Sequence, residues 1–317
     1  MIGHDEAVAT FKAAFSGPRP HHAWLLAGPP GLGKARFAED AAIWLLAGRP
    51  AGEGFTGADG SPAAALIEAG SHPDFRRLER ALDEKTGKRK AAIAVDDIRA
   101  LQGLLNQTPS IADWRVVIID SADEMNRNSA NALLKNLEEP APQTLFLVIS
   151  HTPGRLLPTI RSRCRTLRFQ RLSDAEVGAI LEANAPDLDD DDRAALVRLA
   201  EGAPGRALRF AEAGVAALAE ELAELSVTAP EAAPAKALAL ARSLAGKAGS
   251  ARYEAFLELA PSLLARAART RQGPALARTL ADWEAATELA GSAIPLSLDP
   301  QSVAFDLAGK VAALARP

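Results

Sequence analysis

The first half of the chain alternates short, continuously apolar runs with longer stretches in which apolar positions recur at helical spacing. "HAWLLAG" reads as a short apolar strand. "KARFAEDAAIWLLAG" follows as a helix, with Phe37, Ala41, Trp44 and Leu45 on one face. Residues 48–72 are rich in Gly, Ala and Pro and read as irregular. "DFRRLER" and "AAIAV" are candidate paired strands around the polar tip "DEKTGKRK". "DDIRALQGLLNQ" reads as a helix capped by Asp96 or Asp97. "WRVVIID" and "TLFLVIS" are β-branched runs of the kind buried in a parallel sheet, and between them "SANALLKNLEEP" is a helix ended by Pro140. Strands alternating with helices predict an α/β class, with a doubly wound parallel sheet.

From about residue 172 the period changes. "LSDAEVGAILEANAP" and "LDDDDRAALVRLAEGAPGRALRFAEAG" carry helix starts and stops, and beyond residue 213 the Ala-, Leu-, Glu- and Arg-rich chain has few strand signals. An all-helical second half is expected.

Composition narrows the function classes. With 317 residues the chain suits two or three domains. A formal net charge of −4 gives no bulk argument for a nucleic-acid binder. One cysteine excludes an internal disulfide, and five scattered histidines show no ligand spacing. The N-terminal "MIGHDEAVATFKAAF" is charged early and does not read as a signal peptide, and no apolar run spans a bilayer, so a cytoplasmic protein without membrane contact is expected.

The specific chemistry begins at "GPPGLGKA". It fits the phosphate-loop pattern G-x-x-x-x-G-K from Gly28 to Lys34, with Gly31 and Gly33 inside it, a strand before and a helix after. Backbone N–H groups of such a loop wrap phosphate oxygens, the lysine neutralises them, and the helix N-terminus faces the anion. Ala35, however, stands where a hydroxyl would ligate magnesium. Further on, "VVIIDSADEM" places Asp120 at a strand end, where a magnesium-organising carboxylate belongs. In ATPases of the AAA+ kind a glutamate follows that acid and polarises the attacking water; here the residue is Ser121, and Glu124 lies a turn further on. Without the upstream loop, Asp120 reads better as a strand-end cap.

"HHAWLLAGPPGLGKARFA", "SHPDF", "WRVVIIDSADEMNRNSANALLKNLEEP", "SHTPGRLLPTIRSRCRTLRF" and "GAPGRALRF" occur in that order. Together they resemble the delta-prime family of bacterial DNA polymerase III clamp loaders, within the AAA+ proteins. The likeness is dense over the first two-thirds, and the helical last third matches in length and class only. It implies an AAA+ (RecA-like) core over 1–171, a small helical lid over 172–212 and an all-helical collar over 213–317. The resemblance also implies gamma/tau and delta subunits as partners in a ring of five, with the sliding clamp and primed DNA reached through that ring. Many relatives carry a four-cysteine zinc module after the first helix; residues 48–72 contain no cysteine, so no zinc is expected.

Residue roles follow from the same likeness. Arg163, in "RSRCR", sits where the family has an arginine finger, a residue that reaches a neighbouring subunit's ATP. Composition alone reads it as one surface arginine among Arg161, Arg165 and Arg168. Ser150 and His151 lie at the first sensor position and Arg206 at the second. Cys164 reads as a buried structural thiol leading into an apolar strand, "DLDDDD" as a solvated helix start, and "KTGKRK" as a polar tip that can also meet DNA phosphates. With Ala35 and Ser121 in the two catalytic slots, no intrinsic ATPase is expected of this member of a polymerase holoenzyme, and ATP or ADP is held weakly if at all. Two alternatives stay open: an active AAA+ motor subunit of the same complex, and a stand-alone P-loop kinase or DNA-binding regulator.

Overall fold

The computed structural model describes residues 2–17, 20–82, 89–90, 92–246 and 250–315. By internal contacts the chain divides into two compact units, residues 1–180 with 201–205, and residues 181–200 with 206–317.

The first unit is built on a five-stranded sheet: β1 (Ala23–Ala27), β2 (Phe75–Leu78), β3 (Arg115–Ile119), β4 (Thr144–Ser150) and β5 (Arg165–Arg168), in the order β2-β3-β4-β1-β5. Every pairing is parallel. The central strands β1, β3 and β4 are buried along their whole length, which is why they read as continuous apolar runs. Alternate residues serve opposite faces. Trp24, Leu26, Val116, Ile118, Leu145 and Leu147 meet the helices α1 (Asp5–Ala14) and α2 (Lys34–Leu46). Leu25, Val117, Ile119, Phe146 and Val148 meet α4 (Val95–Leu105), α5 (Arg127–Glu138) and α6 (Pro158–Arg163). On the first face, Phe11 has the rings of Phe15, Trp24, Phe37, Trp44 and Phe55 at centroid distances of 5.0–6.3 Å. The sparse aromatic residues are thus concentrated around α1 and α2.

The segment "SHPDF" anchors the turn that precedes β3. The Asp74 carboxylate accepts the backbone N–H groups of Ser110, Ile111 and Ala112 at 2.6, 2.9 and 3.0 Å. Burial pushes its pKa up, but the three donors outweigh that and hold it below the ordinary carboxylate value. Beside it the buried Arg115 guanidinium donates to the carbonyls of Leu104, Leu105, Gln107 and Pro142.

Four local expectations need correction. "DFRRLER" does not pair with "AAIAV": β2 lies parallel to β3, Ile93 bridges Met125, and Val95 already belongs to α4. Among the described residues an antiparallel bridge joins Leu82 and Arg89 near the proposed tip; the tip "KTGKRK" lies largely outside them. Residues 48–72 are not wholly irregular, since α3 (Pro62–Glu68) forms there, with Pro62 in its first turn and the Ser61 hydroxyl accepting from Ala64 N–H at 3.2 Å. Neither Asp96 nor Asp97 caps α4; Ala94 is the cap residue and both acids lie in the first turn, where the helix dipole favours them. The strand after Cys164 is not apolar throughout, because only Leu167 of β5 is buried.

The sequence continues through α7 (Asp174–Asn184), α8 (Asp190–Ala200), α9 (Pro204–Glu212), α10 (Val215–Ser226), α11 (Ala233–Leu244), α12 (Ser250–Ala268), α13 (Gly273–Ala293) and α14 (Pro300–Ala312). In the second unit α11 packs along α14, and α12 against α13 and α14. Its core is mostly aliphatic, with Leu218, Leu222, Leu259, Leu264, Leu307 and Val311 buried beside Phe256. The "DLDDDD" run starts α8, where Asp189 accepts the N–H of Asp192 at 2.8 Å, so it serves as the solvated helix start expected. No helix among the described residues is long and apolar enough to cross a membrane.

Candidate functional site

The candidate site lies at the ends of β1, β3 and β4, where the sequence motifs converge. The loop 28–33 runs from β1 into α2. Gly28 is required there: its φ is 153°, and a Cβ would stand 2.6 Å from the Phe169 carbonyl oxygen. Gly33, at φ 82°, is the left-handed residue from which α2 departs. The loop is held from two further sides. His4 Nε2 lies 2.9 Å from the Leu32 carbonyl oxygen, and Gly205 N–H donates to the Gly31 carbonyl at 2.8 Å. Burial keeps the His4 pKa below its usual value. His4 was legible only as one of five scattered histidines.

Lys34 is buried, and its ammonium donates to the carbonyls of Gly28 at 2.6 Å and Pro29 at 2.5 Å. Burial lowers its pKa to about 8, although Asp123 and Asp120 pull it back up. Ala35 is half-buried against the α1–α2 side of the core and offers no oxygen.

Asp120 follows β3 directly, and its N–H donates to the Leu78 carbonyl at 2.8 Å. Its carboxylate is engaged by Arg77 Nη2 at 2.5 Å, while Arg77 Nη1 contacts the Glu39 carboxylate on α2. Ser121 has φ 61°, uncommon for a residue with a side chain, and its Oγ lies 3.1 Å from His151 Nε2. Glu124 pairs with Arg80 at 2.6 Å, which accounts for its facing elsewhere.

Asp123 organises the end of β4. It accepts the Ser150 hydroxyl at 2.7 Å, the His151 N–H, and the Thr152 N–H at 3.3 Å. Ser150 is fully buried, paired with Ala27 across the sheet. Burial lowers the His151 pKa, with the Lys34 charge acting the same way and Asp123 and Asp120 opposing. The net effect favours the neutral imidazole. The structure brings Gly28, Gly31, Gly33, Lys34, Asp120, Ser150 and His151 to one end of the sheet, together with Arg77 and Asp123, which motif reading missed.

Arg163 ends α6. Its guanidinium is a third exposed, donates to Thr159 O at 3.0 Å, and pairs with Glu138 at the end of α5 at 2.7 Å. Cys164 beside it is buried, and burial alone pushes its thiol up to about 12, so it is a structural thiol. Arg165, itself exposed, stacks over the Trp24 ring at 4.8 Å. Arg206 belongs to the second unit, where it pairs with Glu258 of α12 at 3.5 Å and lies over the Phe210 ring at 4.9 Å.

Residues 3–173, more than half of the chain, match the family model described as DNA polymerase III, delta subunit. The chain is 43% identical to DNA polymerase III subunit delta' of Pseudomonas aeruginosa over 197 residues, covering 61% of this chain and 57% of that one. Against subunit delta' of Escherichia coli it is 32% identical over 204 residues, covering 64% and 57%. The chain thus spans 57% of the length of either of these curated relatives. Among solved structures, a DNA polymerase III gamma subunit-related protein from Thermotoga maritima superposes with a TM-score of 0.52 at 18% identity, covering 98% of this chain and all of the other. That likeness bears on fold alone, and it agrees with the α/β AAA+ architecture. Taken with the site geometry, these matches lead to one conclusion: the chain belongs to the DNA polymerase III delta-subunit family, with delta' proteins as its relatives.

Proposed function

We propose that this chain acts as the delta'-type subunit of a bacterial clamp loader, one that does not hydrolyse ATP itself and supplies Arg163 to the ATP of a neighbouring subunit. The observation that carries this reading is a phosphate loop whose shape is kept and whose catalytic groups are missing. Gly28, Gly33 and Lys34 retain the strand–loop–helix geometry. Ala35 nevertheless has no oxygen for a metal, and Ser121 faces His151 where a carboxylate would polarise water. Arg163, by contrast, lies at the surface in an ion pair of the kind that opens at little cost.

On this reading residues 1–171 are the ATPase-like core, 172–212 the lid and 213–317 the collar that joins gamma/tau and delta subunits in a ring of five. The sliding clamp and primed DNA are met through that ring, in the cytoplasm. ATP or ADP is at most weakly held, through Lys34 and the loop N–H groups.

One observation favours a second reading, an active motor subunit. The chain is 29% identical to subunit tau/gamma of Haemophilus influenzae, over 65% of its own length. Ala35 and Ser121 stand against it. ATP turnover by the isolated chain with magnesium separates the two. Negligible turnover is expected, with or without primed DNA. Sustained turnover that Lys34→Ala abolishes means a working motor.

A further inference from the structure

The metal that this fold ordinarily uses does not fit the residues present. Magnesium demands near-octahedral oxygen ligands and is usually held by one or two carboxylates together with phosphate oxygens. At this site the hydroxyl is lost at Ala35, and the strand-end carboxylate is already occupied. Arg77 Nη2 lies 2.5 Å from Asp120 Oδ2, and the other amino group of the same guanidinium contacts Glu39. One planar cation therefore bridges an acid from β3 and an acid from α2.

This arrangement is built by the sheet. β2 is the edge strand beside β3, with Arg77 level with Ile118 and two residues short of the Asp120 register. Phe75 and Arg77 share a face by strand alternation, and Phe75 packs against the core on the α2 side. Arg77 is thus directed toward α2, where Glu39 stands five residues after Lys34. Leu78, on the opposite face, packs into the α4–α5 side. Asp120 lies close enough to Lys34 and His151 for its charge to act on both. The bridged carboxylate therefore belongs to the phosphate-loop site.

We infer that Arg77 takes the place of a divalent cation in this site, neutralising Asp120 and Glu39 so that any phosphate the loop holds is held without metal. A guanidinium suits the task. Its fork meets two carboxylates in charge-assisted hydrogen bonds, it is permanently charged, and the strand delivers it. Losing the metal hydroxyl alone would leave Asp120 and Glu39 as facing anions. Arg77 removes that repulsion and also removes the vacancy a cation would fill.

The inference rests on the reading of the loop as a degenerate nucleotide site, and its test is separable from that reading. Mn²⁺ alone serves as the probe, with binding followed by the loss of the free-ion paramagnetic resonance signal and by the thermal midpoint with and without Mn²⁺. The full-length wild-type chain is expected to bind Mn²⁺ no better than Asp120→Asn does. Arg77→Gln uncovers the two carboxylates and should bind one Mn²⁺ at least about tenfold more tightly than wild type, with a matching rise in midpoint. The double variant R77Q/D120N should lose that gain. Arg77→Lys, which keeps a charge but not the fork, should fall between, and it carries the test should Arg77→Gln fail to fold. Equal Mn²⁺ binding by wild type and the Arg77 variants, or a gain that survives Asp120→Asn, overturns the inference. ATP turnover by the wild-type chain would overturn the degenerate-site reading instead, and is measured on the same preparation.

Discussion

Two of the arginines of the first unit that meet carboxylates near the motifs, Arg77 and Arg163, behave differently. Arg77 is locked between two acids at the end of a buried sheet, and its neighbours are equally self-contained: Lys34 on the loop carbonyls, Ser121 on His151, Asp123 on three donors of the β4 end. Arg163, at the end of α6, is about as exposed as Arg77 (34% of the side chain against 31%), but it meets one carboxylate rather than two, and that one, Glu138, is far more exposed than Asp120. In the first region the buried Lys34 and the mostly buried Asp120 hold internal partners in a setting where an unpaired charge is costly. The rim pair of the second is screened by water and contributes about 0–1 kcal/mol. On the proposed reading, the difference teaches that a catalytic geometry can persist as packing, while the group offered to another molecule is one the fold does not need.

That contrast can be broken or sharpened by substitution. The largest stability effect is expected at Gly28. Gly28→Ala drives a Cβ to 2.6 Å from the Phe169 carbonyl at a φ that side chains avoid, and should destabilise by roughly 2–4 kcal/mol in denaturant unfolding. A near-neutral result would mean that the loop is loose and its shape incidental.

Lys34 comes next, and its effect depends on pH. Its pKa is about 8 in the folded chain against 10.5 for a freely solvated lysine. Between those pH values the unfolded chain carries a proton that the folded chain has released, so stability rises with pH across that window and is lowest below it. Lys34→Met should flatten this rise, and should be the more stable chain at pH 7 by on the order of 2 kcal/mol without nucleotide. Parallel unfolding curves for the two chains from pH 7 to 10 would show that the buried ammonium has no such strain.

The smallest effect belongs to the rim. Glu138→Gln removes the partner of Arg163, and stability should change by no more than about 0.5 kcal/mol. ATP hydrolysis by the assembled complex should equal or exceed the wild-type rate, since the guanidinium is freed. A marked loss of stability or of turnover would make the Arg163–Glu138 pair structural and erase the contrast.

How much of this was legible in the sequence follows from the range of the interactions. The loop from Gly28 to Lys34 and the buried runs of β1, β3 and β4 are local signals, and Ser150 and His151 were singled out through the family resemblance. Arg77 engages Asp120 across 43 residues of sequence, and Asp123 reaches the end of β4 across 27 to 29. Neither connection leaves a periodic trace. β2 was paired with the wrong segment because its true partner, β3, lies far along the chain, whereas the apolar "AAIAV" lies close by. The α3 helix was hidden by its own composition, since "SPAAALIEAG" resembles a loop unless Ser61 and Pro62 are read as a cap and first turn.

The central claim is that this chain's useful charge acts on another subunit's nucleotide. The direct measurement is steady-state ATP hydrolysis, stimulated by DNA and clamp, by complexes reconstituted with wild-type or Arg163→Ala chain and matched for assembly by gel filtration. Turnover should fall at the one site that faces this subunit, by up to about 10³-fold or more there. Total turnover should fall only in part, assembly should be unchanged, and Arg163→Lys should rescue poorly because lysine lacks the planar fork. Wild-type turnover and normal clamp loading with Arg163→Ala would contradict the claim and leave the chain a passive scaffold.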